Sequence, residues 1–287
     1  MSSPTAIATG APPDPAAIKH QIEKMGELPT LPHVVQKIAL MGNRADTSAE
    51  DLGKIIEKDQ VLAAKVLKLA NSPFYGFPAR IASVSHAVVV LGLNVVKGLT
   101  LGATAFDMMK AAGMEQLWRH SLGVAMMAHI LASRVGLKNP EEIFAAGLLH
   151  DLGKVVLQAK LPELGAKIER ALKQGDGSRT QAEQEVLGLT HADMAGWLGD
   201  LWHLPVTLKD PMMFHHHPML ARDAETQTAI VHVADVLVKA MGCGDSGDDL
   251  VPPLNPKAWK LMNLDEAGLD ECLRKAAQEF ETIDDYL

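Results

Sequence analysis

Twelve histidines stand out in this chain, and most of them fall between His120 and His232. Those with a partner at informative spacing are His120, the doublet His150-Asp151, His191, the run His215-His216-His217, and His232, one helical turn before Asp235. Neutral imidazole and carboxylate oxygen suit Mn, Fe, Zn or Ni better than the metals that seek soft thiolates. Both cysteines, Cys243 and Cys272, lie outside the cluster, which argues against a Cys-type structural zinc site. Two aspartates and four or five histidines would saturate one octahedral ion. Alternatively they would hold two ions about 3.5–4 Å apart with open positions, an arrangement suited to hydrolysis.

The remaining polar residues divide between two readings. Lys154 follows Asp151 by three residues and would share its face if a helix continued through Gly153, where it would hold a phosphate oxygen. The same spacing describes a surface lysine at a helix end, and spacing alone favours that plainer reading. His232 either orients the Asp235 carboxylate or is a core histidine satisfied by a hydrogen bond of its own. His217 is open between coordination and solvent. His20, His33, His86, His129 and His203 have no informative partner and are assigned to surface or helix-packing roles.

Ligands spread over more than a hundred residues converge only if rigid rods carry them. The chain has 287 residues with 4% aromatics, and Ala, Leu and Met are abundant, which favours helices packed through small and flexible side chains. The expected fold class is all-α. Residues 1–16, rich in proline, read as a disordered tail, residues 17–112 as an N-terminal helical subdomain and residues 113–242 as a helical bundle. Residues 243–287 read as a linker and a last amphipathic helix. Within the bundle, helices are expected near 115–136, 140–150, 162–174, 190–201, 205–214 and 222–241. Gly92 and Gly98 interrupt an apolar run over 83–109, and tight helix packing would justify them.

Charge narrows the function classes. The formal net charge of −8 and the lack of any run of five basic residues disfavour nucleic acid as a partner. A small phosphorylated ligand stays compatible, because metals and Lys154 would attract it locally. No apolar stretch approaches the ~18 residues a membrane span requires. Two cysteines and a start without a basic-then-apolar leader lead us to expect a soluble protein of the cytoplasm.

Several motifs occur in an order that resembles the HDOD family, the HD-related output domains. They are Leu28-Pro29-Thr30-Leu31-Pro32, Ile55-Ile56-Glu57-Lys58-Asp59, Leu67-Lys68-Leu69-Ala70-Asn71-Ser72, Leu117-Trp118-Arg119-His120-Ser121, Ala146-Gly147-Leu148-Leu149-His150-Asp151-Leu152-Gly153-Lys154 and Val231-His232-Val233-Ala234-Asp235. The resemblance spans about residues 24 to 242. It implies an N-terminal helical subdomain packed on an HD-superfamily helical bundle, and a bacterial signalling or regulatory role with other signalling proteins as partners. Many members of that family have lost the metal ligands, whereas here the HD-superfamily set maps onto His120, His150, Asp151 and Asp235. The related HD-GYP phosphodiesterases add a histidine and a His-His pair, matched by His191 and by His215-His216, and their lysine matches Lys154. The segment His217-Pro218-Met219-Leu220 departs from the glutamate and Gly-Tyr-Pro stretch expected there, and Gln116 replaces a glutamate that would serve a third ion.

The resemblance therefore implies one or two divalent ions, Fe or Mn first and Zn or Ni next, in a signalling module. The alternative is a metal-dependent phosphohydrolase acting on a nucleotide or cyclic dinucleotide, with Asp151 and Lys154 in catalytic roles. A second alternative is a metal-free interaction scaffold.

Overall fold

The structure is a computed structural model that describes residues 12–24, 49–75, 77, 79–175, 177–248 and 250–286. Among them there is helix and no strand, so the chain is all-α. Most of the predicted tail, the Leu28 to Pro32 motif and His33 lie outside the described residues.

The first helix, α1 (Pro15–Lys24), begins inside the stretch read as a tail, with the Asp14 carboxylate accepting from Ala16 N at 2.9 Å. Next come α2 (Ala49–Glu57), α3 (Gln60–Ala70) and α4 (Val84–Leu91), which pack on one another. Asp59 caps α3 by accepting from Val61 N and Leu62 N, and Ser83 caps α4 by accepting from His86 N. The apolar run over 83–109 divides at Gly92, whose φ of 90° ends α4 and starts α5 (Leu93–Ala111). Gly98 does serve close packing, since a Cβ there would lie 2.6 Å from Ala145 Cβ.

Helix α6 (Glu115–Arg134) runs through the middle of the molecule, and every residue from His120 to Ala132 is buried. It is apolar on most sides because α7 (Pro140–Leu149), α13 (Glu225–Ala240) and α15 (Glu266–Phe280) surround it. Each fully buried leucine or methionine along it, such as Leu122, Met126 and Leu131, contributes roughly 1.5–3 kcal/mol. Gly147 lets α7 approach so closely that a Cβ there would sit 2.8 Å from Ala125 Cα. That approach brings the end of α7 to His120 of α6.

Around this pair lie α8 (Leu152–Lys160), α9 (Pro162–Gln174), α10 (Arg179–Leu187), α11 (His191–Leu201) and α12 (Val206–Phe214), and α14 (Pro256–Met262) lies against α13. The six expected bundle helices correspond to α6, α7, α9, α11, α12 and α13. Helices α8, α10 and α14 were not expected. Helix α10 buries only Arg179, Ala182, Glu183 and Leu187, so it shows no apolar stripe and starts instead from a capping box between Ser178 and Gln181. No described helix is long and apolar enough to cross a membrane.

Candidate metal centre

Helix α7 ends at Leu149 and α8 begins at Leu152, so the His150-Asp151 doublet sits on a break between two helices. The helix expected near 140–150 thus ends where it was expected to, and a second helix, not expected, carries Gly153 and Lys154. The break aims both side chains inward, where four other segments deliver ligand-type residues. His120 comes from the first turns of α6, His191 from the N-terminus of α11, His215 and His216 from the C-terminal end of α12, and Asp235 from the middle of α13. All are buried except His216, which is partly exposed.

Asp151 is the centre of this arrangement and faces two groups of donors. Its Oδ2 lies 3.3 Å from His150 Nε2 and 3.8 Å from His120 Nε2. Asp235 Oδ1 closes that group at 3.0 Å from His120 Nε2 and 3.8 Å from His150 Nε2. The other oxygen, Oδ1, lies 3.1 Å from His191 Nε2 and 3.7 Å from His215 Nε2, and His216 Nε2 stands 3.0 Å from His191 Nε2. Donor atoms bonded to one ion at about 2.0–2.2 Å cannot be more than about 4.4 Å apart. Each of these separations satisfies that limit.

Whether the residues fit a metal is answered by their hydrogen bonding. His120 Nε2, His150 Nε2, Asp151 Oδ1, His215 Nε2 and Asp235 Oδ1 are all buried with no hydrogen-bond partner among the described residues. Buried polar atoms are nearly always satisfied, and five orphans pointing at one another are what a cation site requires. On three of the rings the opposite edge is satisfied. His150 Nδ1 donates to Gly147 O at 2.7 Å, His215 Nδ1 lies 3.2 Å from Pro211 O and Met212 O, and His191 Nδ1 lies 2.6 Å from Glu183 Oε2. Those acceptors hold the proton on Nδ1 and leave the Nε2 lone pair for a metal. The donor set therefore fits divalent ions.

Electrostatics prepare the same forms. Burial pushes the His120, His215 and His216 imidazolium forms down, well below the ordinary histidine range for the last two, so these rings are neutral. Burial acts to raise Asp151, yet His150 and Lys154 hold its carboxyl well below the usual carboxylate range. Against the same burial, Lys239 and His120 do so for Asp235. His191 is the exception, because the Glu183 carboxylate overcomes burial and raises it. Neutral imidazoles beside charged carboxylates are the states that bind metal.

Lys154 is not a surface lysine. Its buried Nζ donates to Asp151 Oδ2 at 2.7 Å and to Ser246 O at 3.0 Å, because the restart of the helix at Leu152 turns it toward the centre. His232 does not orient Asp235. Its Nδ1 donates to His215 O at 2.7 Å and its Nε2 accepts from Asn255 N at 3.0 Å, so it is a satisfied core histidine that ties the His215 backbone to the segment before α14. His217 is exposed and joins none of the groups of donors able to share an ion among the described residues. His20, His86 and His203 are exposed, and His129 packs edge-on to Tyr75, in line with the roles expected for them.

Two supporting residues escaped the sequence reading. Glu183 arrives from α10, eight residues before His191, and on a polar helix nothing separates it from a solvated glutamate. Lys239 donates to Asp235 Oδ2 at 3.0 Å and is buried there. Its i,i+4 spacing from Asp235 was the available signal, hidden because a lysine in the last turn of a helix is commonplace.

Comparison with known proteins adds the following. The HDOD domain family matches residues 28–218. An HDOD domain protein of Geobacter sulfurreducens with unknown function has a solved structure that is 25% identical, with 96% of this chain and 99% of that chain covered and a TM-score of 0.71. A provisionally named phosphohydrolase of Shewanella amazonensis SB2B is likewise 25% identical, covering 93% of this chain and 97% of that one at a TM-score of 0.65. An uncharacterized protein of Treponema pallidum (strain Nichols) is 26% identical over 198 residues, which are 68% of this chain and 39% of that protein. The chain thus spans about two fifths of the length of that relative.

Proposed function

From the premise that the chain belongs to the HDOD domain family, we propose that it is a regulatory module built around a two-ion His/Asp centre that shapes the face it offers to signalling partners. One ion would be held by His120, His150, Asp151 and Asp235, and the other by Asp151, His191, His215 and His216. Asp151 would serve both ions through its two oxygens. The observation that carries this reading is the set of five buried donor atoms without hydrogen-bond partners, gathered around that carboxylate. Imidazole and carboxylate ligands suit Fe, Mn, Zn or Ni, and the resemblance puts Fe or Mn first.

This chain's own residues do the positioning. Glu183, Gly147 O and the α12 carbonyls fix the rings, and Lys154 and Lys239 balance the two aspartates, so that charged carboxylates persist in a dry interior. The test is thermal unfolding of the chelated protein titrated with Mn²⁺ or Fe²⁺. Ligands that bind only the folded state add about 2.7 kcal/mol at a hundred times their dissociation constant. A rising midpoint supports the centre, and a midpoint indifferent to both ions counts against it.

One observation favours phosphohydrolase activity as a second reading. Lys154 is a buried cation beside Asp151, placed where it would hold a phosphate oxygen next to the ions. Bound divalent metals supply Lewis acidity and activate water for hydrolysis. Turnover of a nucleotide or cyclic dinucleotide, abolished in Asp151→Ala, supports this reading, and metal-loaded protein inert toward the whole panel removes it.

A further inference from the structure

Residues 242–248, Gly-Cys-Gly-Asp-Ser-Gly-Asp, lie outside the donor set and were read as part of a linker, yet they are packed across the centre. Gly242, Gly244 and Gly247 have φ of 68°, 71° and 75°, a left-handed conformation that residues with a Cβ seldom adopt. The strap is pinned at few points. Asp245 N donates to Gln116 O at 3.0 Å, and Arg179 N donates to Asp248 Oδ2 at 3.1 Å. Two successive strap carbonyls then meet two cations from different helices, with Lys154 Nζ donating to Ser246 O at 3.0 Å and Arg179 Nε to Gly247 O at 2.6 Å. Both cationic side chains are buried, as is the Ser246 hydroxyl, which has no hydrogen-bond partner. A cavity of about 280 Å³ runs along this contact, lined by Lys154, Arg179, Gln116, Gln158, Glu169 and Ser246 among others.

We propose that the strap is a displaceable plug, and that the Ser246 and Gly247 carbonyls stand in for oxygens of a phosphate group that binds between Lys154 and Arg179 when the strap lifts. A phosphate oxygen carries negative charge that a carbonyl lacks, so in the same place it would add Coulomb attraction to both cations. The carboxylates nearby are accounted for. Asp151 holds Lys154, Glu169 holds Arg179 at 2.5 Å, and Asp245 and Asp248 leave with the strap. The inference deepens the metal-centre reading by giving that centre a guarded anion subsite, while the subsite itself stands on Lys154 and Arg179.

The test uses the full chain and inorganic phosphate as probe. Hydrogen exchange over 243–248 is measured with and without phosphate, and phosphate affinity is titrated for wild type, Gly244→Ala and Arg179→Gln. A Cβ at Gly244 would overlap the His120 backbone N and crowd Gln116 O at 2.6 Å, both on one helix, and so lift the strap. If the open form holds about a tenth of the molecules, lifting it tightens phosphate about tenfold. Phosphate should speed exchange in the strap, Gly244→Ala should bind it more tightly, and Arg179→Gln should bind it less. The plug is overturned if phosphate does not bind, if it binds with strap exchange unchanged, or if a lifted strap brings no gain in affinity. Should Gly244→Ala fail to fold, the wild-type exchange and Arg179→Gln decide alone. Metal content is recorded in each sample. Protein that takes up no Fe²⁺ or Mn²⁺ yet whose strap yields to phosphate refutes the metal centre and keeps the plug, and metal-loaded protein whose strap ignores phosphate does the reverse.

Discussion

Asp151→Asn keeps the shape of the central side chain and removes its charge, so its consequences follow from the contacts of the two oxygens. Oδ2 accepts from Lys154 Nζ at 2.7 Å and faces His150 and His120, whereas Oδ1 faces His191 and His215. An amide has one oxygen, and turning its NH2 toward the Lys154 ammonium would oppose donor to donor. The amide oxygen therefore stays on the Lys154 side, and the NH2 faces His191 and His215. The ion held by His191, His215 and His216 loses its carboxylate and should be lost first. Without metal, the buried ammonium of Lys154 is left without a charged partner, a change that costs about 3–5 kcal/mol. At about 2–4 °C per kcal/mol for a chain near this size, the midpoint should fall on the order of 10 °C. Metal analysis after gel filtration, with thermal unfolding in chelator, reads both effects. A variant that keeps two ions per chain, or whose chelated midpoint matches wild type, refutes the bridging role.

Glu183→Gln should weaken the ion on the His191 side by about 10–100-fold while sparing the other, since a partner that orients a ligand histidine is worth that much; a competition titration with a fluorescent chelator reads it. Gly153→Ala should destabilise even the metal-free protein by about 1–3 kcal/mol, because a Cβ there would overlap the His191 carbonyl; urea unfolding in chelator gives the figure. Glu279, far from the centre in sequence, has its carboxyl pushed up to about 7 by burial. The folded state holds that proton more tightly than the unfolded one, so this group costs stability as pH rises from about 4.5 to 7. Glu279→Gln should therefore gain on wild type over that window, by up to about 3 kcal/mol above pH 7, with little difference at pH 4.5.

Much of the centre was legible because its donors announce themselves by type. A histidine doublet with aspartate, a His-His pair and an isolated Asp235 on an apolar helix have few bland explanations when they occur together in one all-helical chain. What stayed hidden was geometry that no spacing encodes. Lys154 was misjudged because i,i+3 spacing describes a buried partner of Asp151 and a lysine at a helix end equally well, and burial, which decides between them, is not encoded in spacing. Glu183 was invisible because α10 carries no apolar stripe and owes its place to a cap and to His191. The Gly-rich 242–248 segment looked like a linker because its composition reports backbone freedom, and here that freedom is used to fit left-handed turns against Gln116 and Lys154.

The most direct test is metal content per chain in wild-type protein purified without chelator or added metal, beside His150→Ala. The account predicts up to two divalent ions, chiefly Fe or Mn, in wild type and a clear loss in the variant. Wild-type protein that carries no divalent ion, and takes up none when Fe²⁺ or Mn²⁺ is supplied, would contradict it.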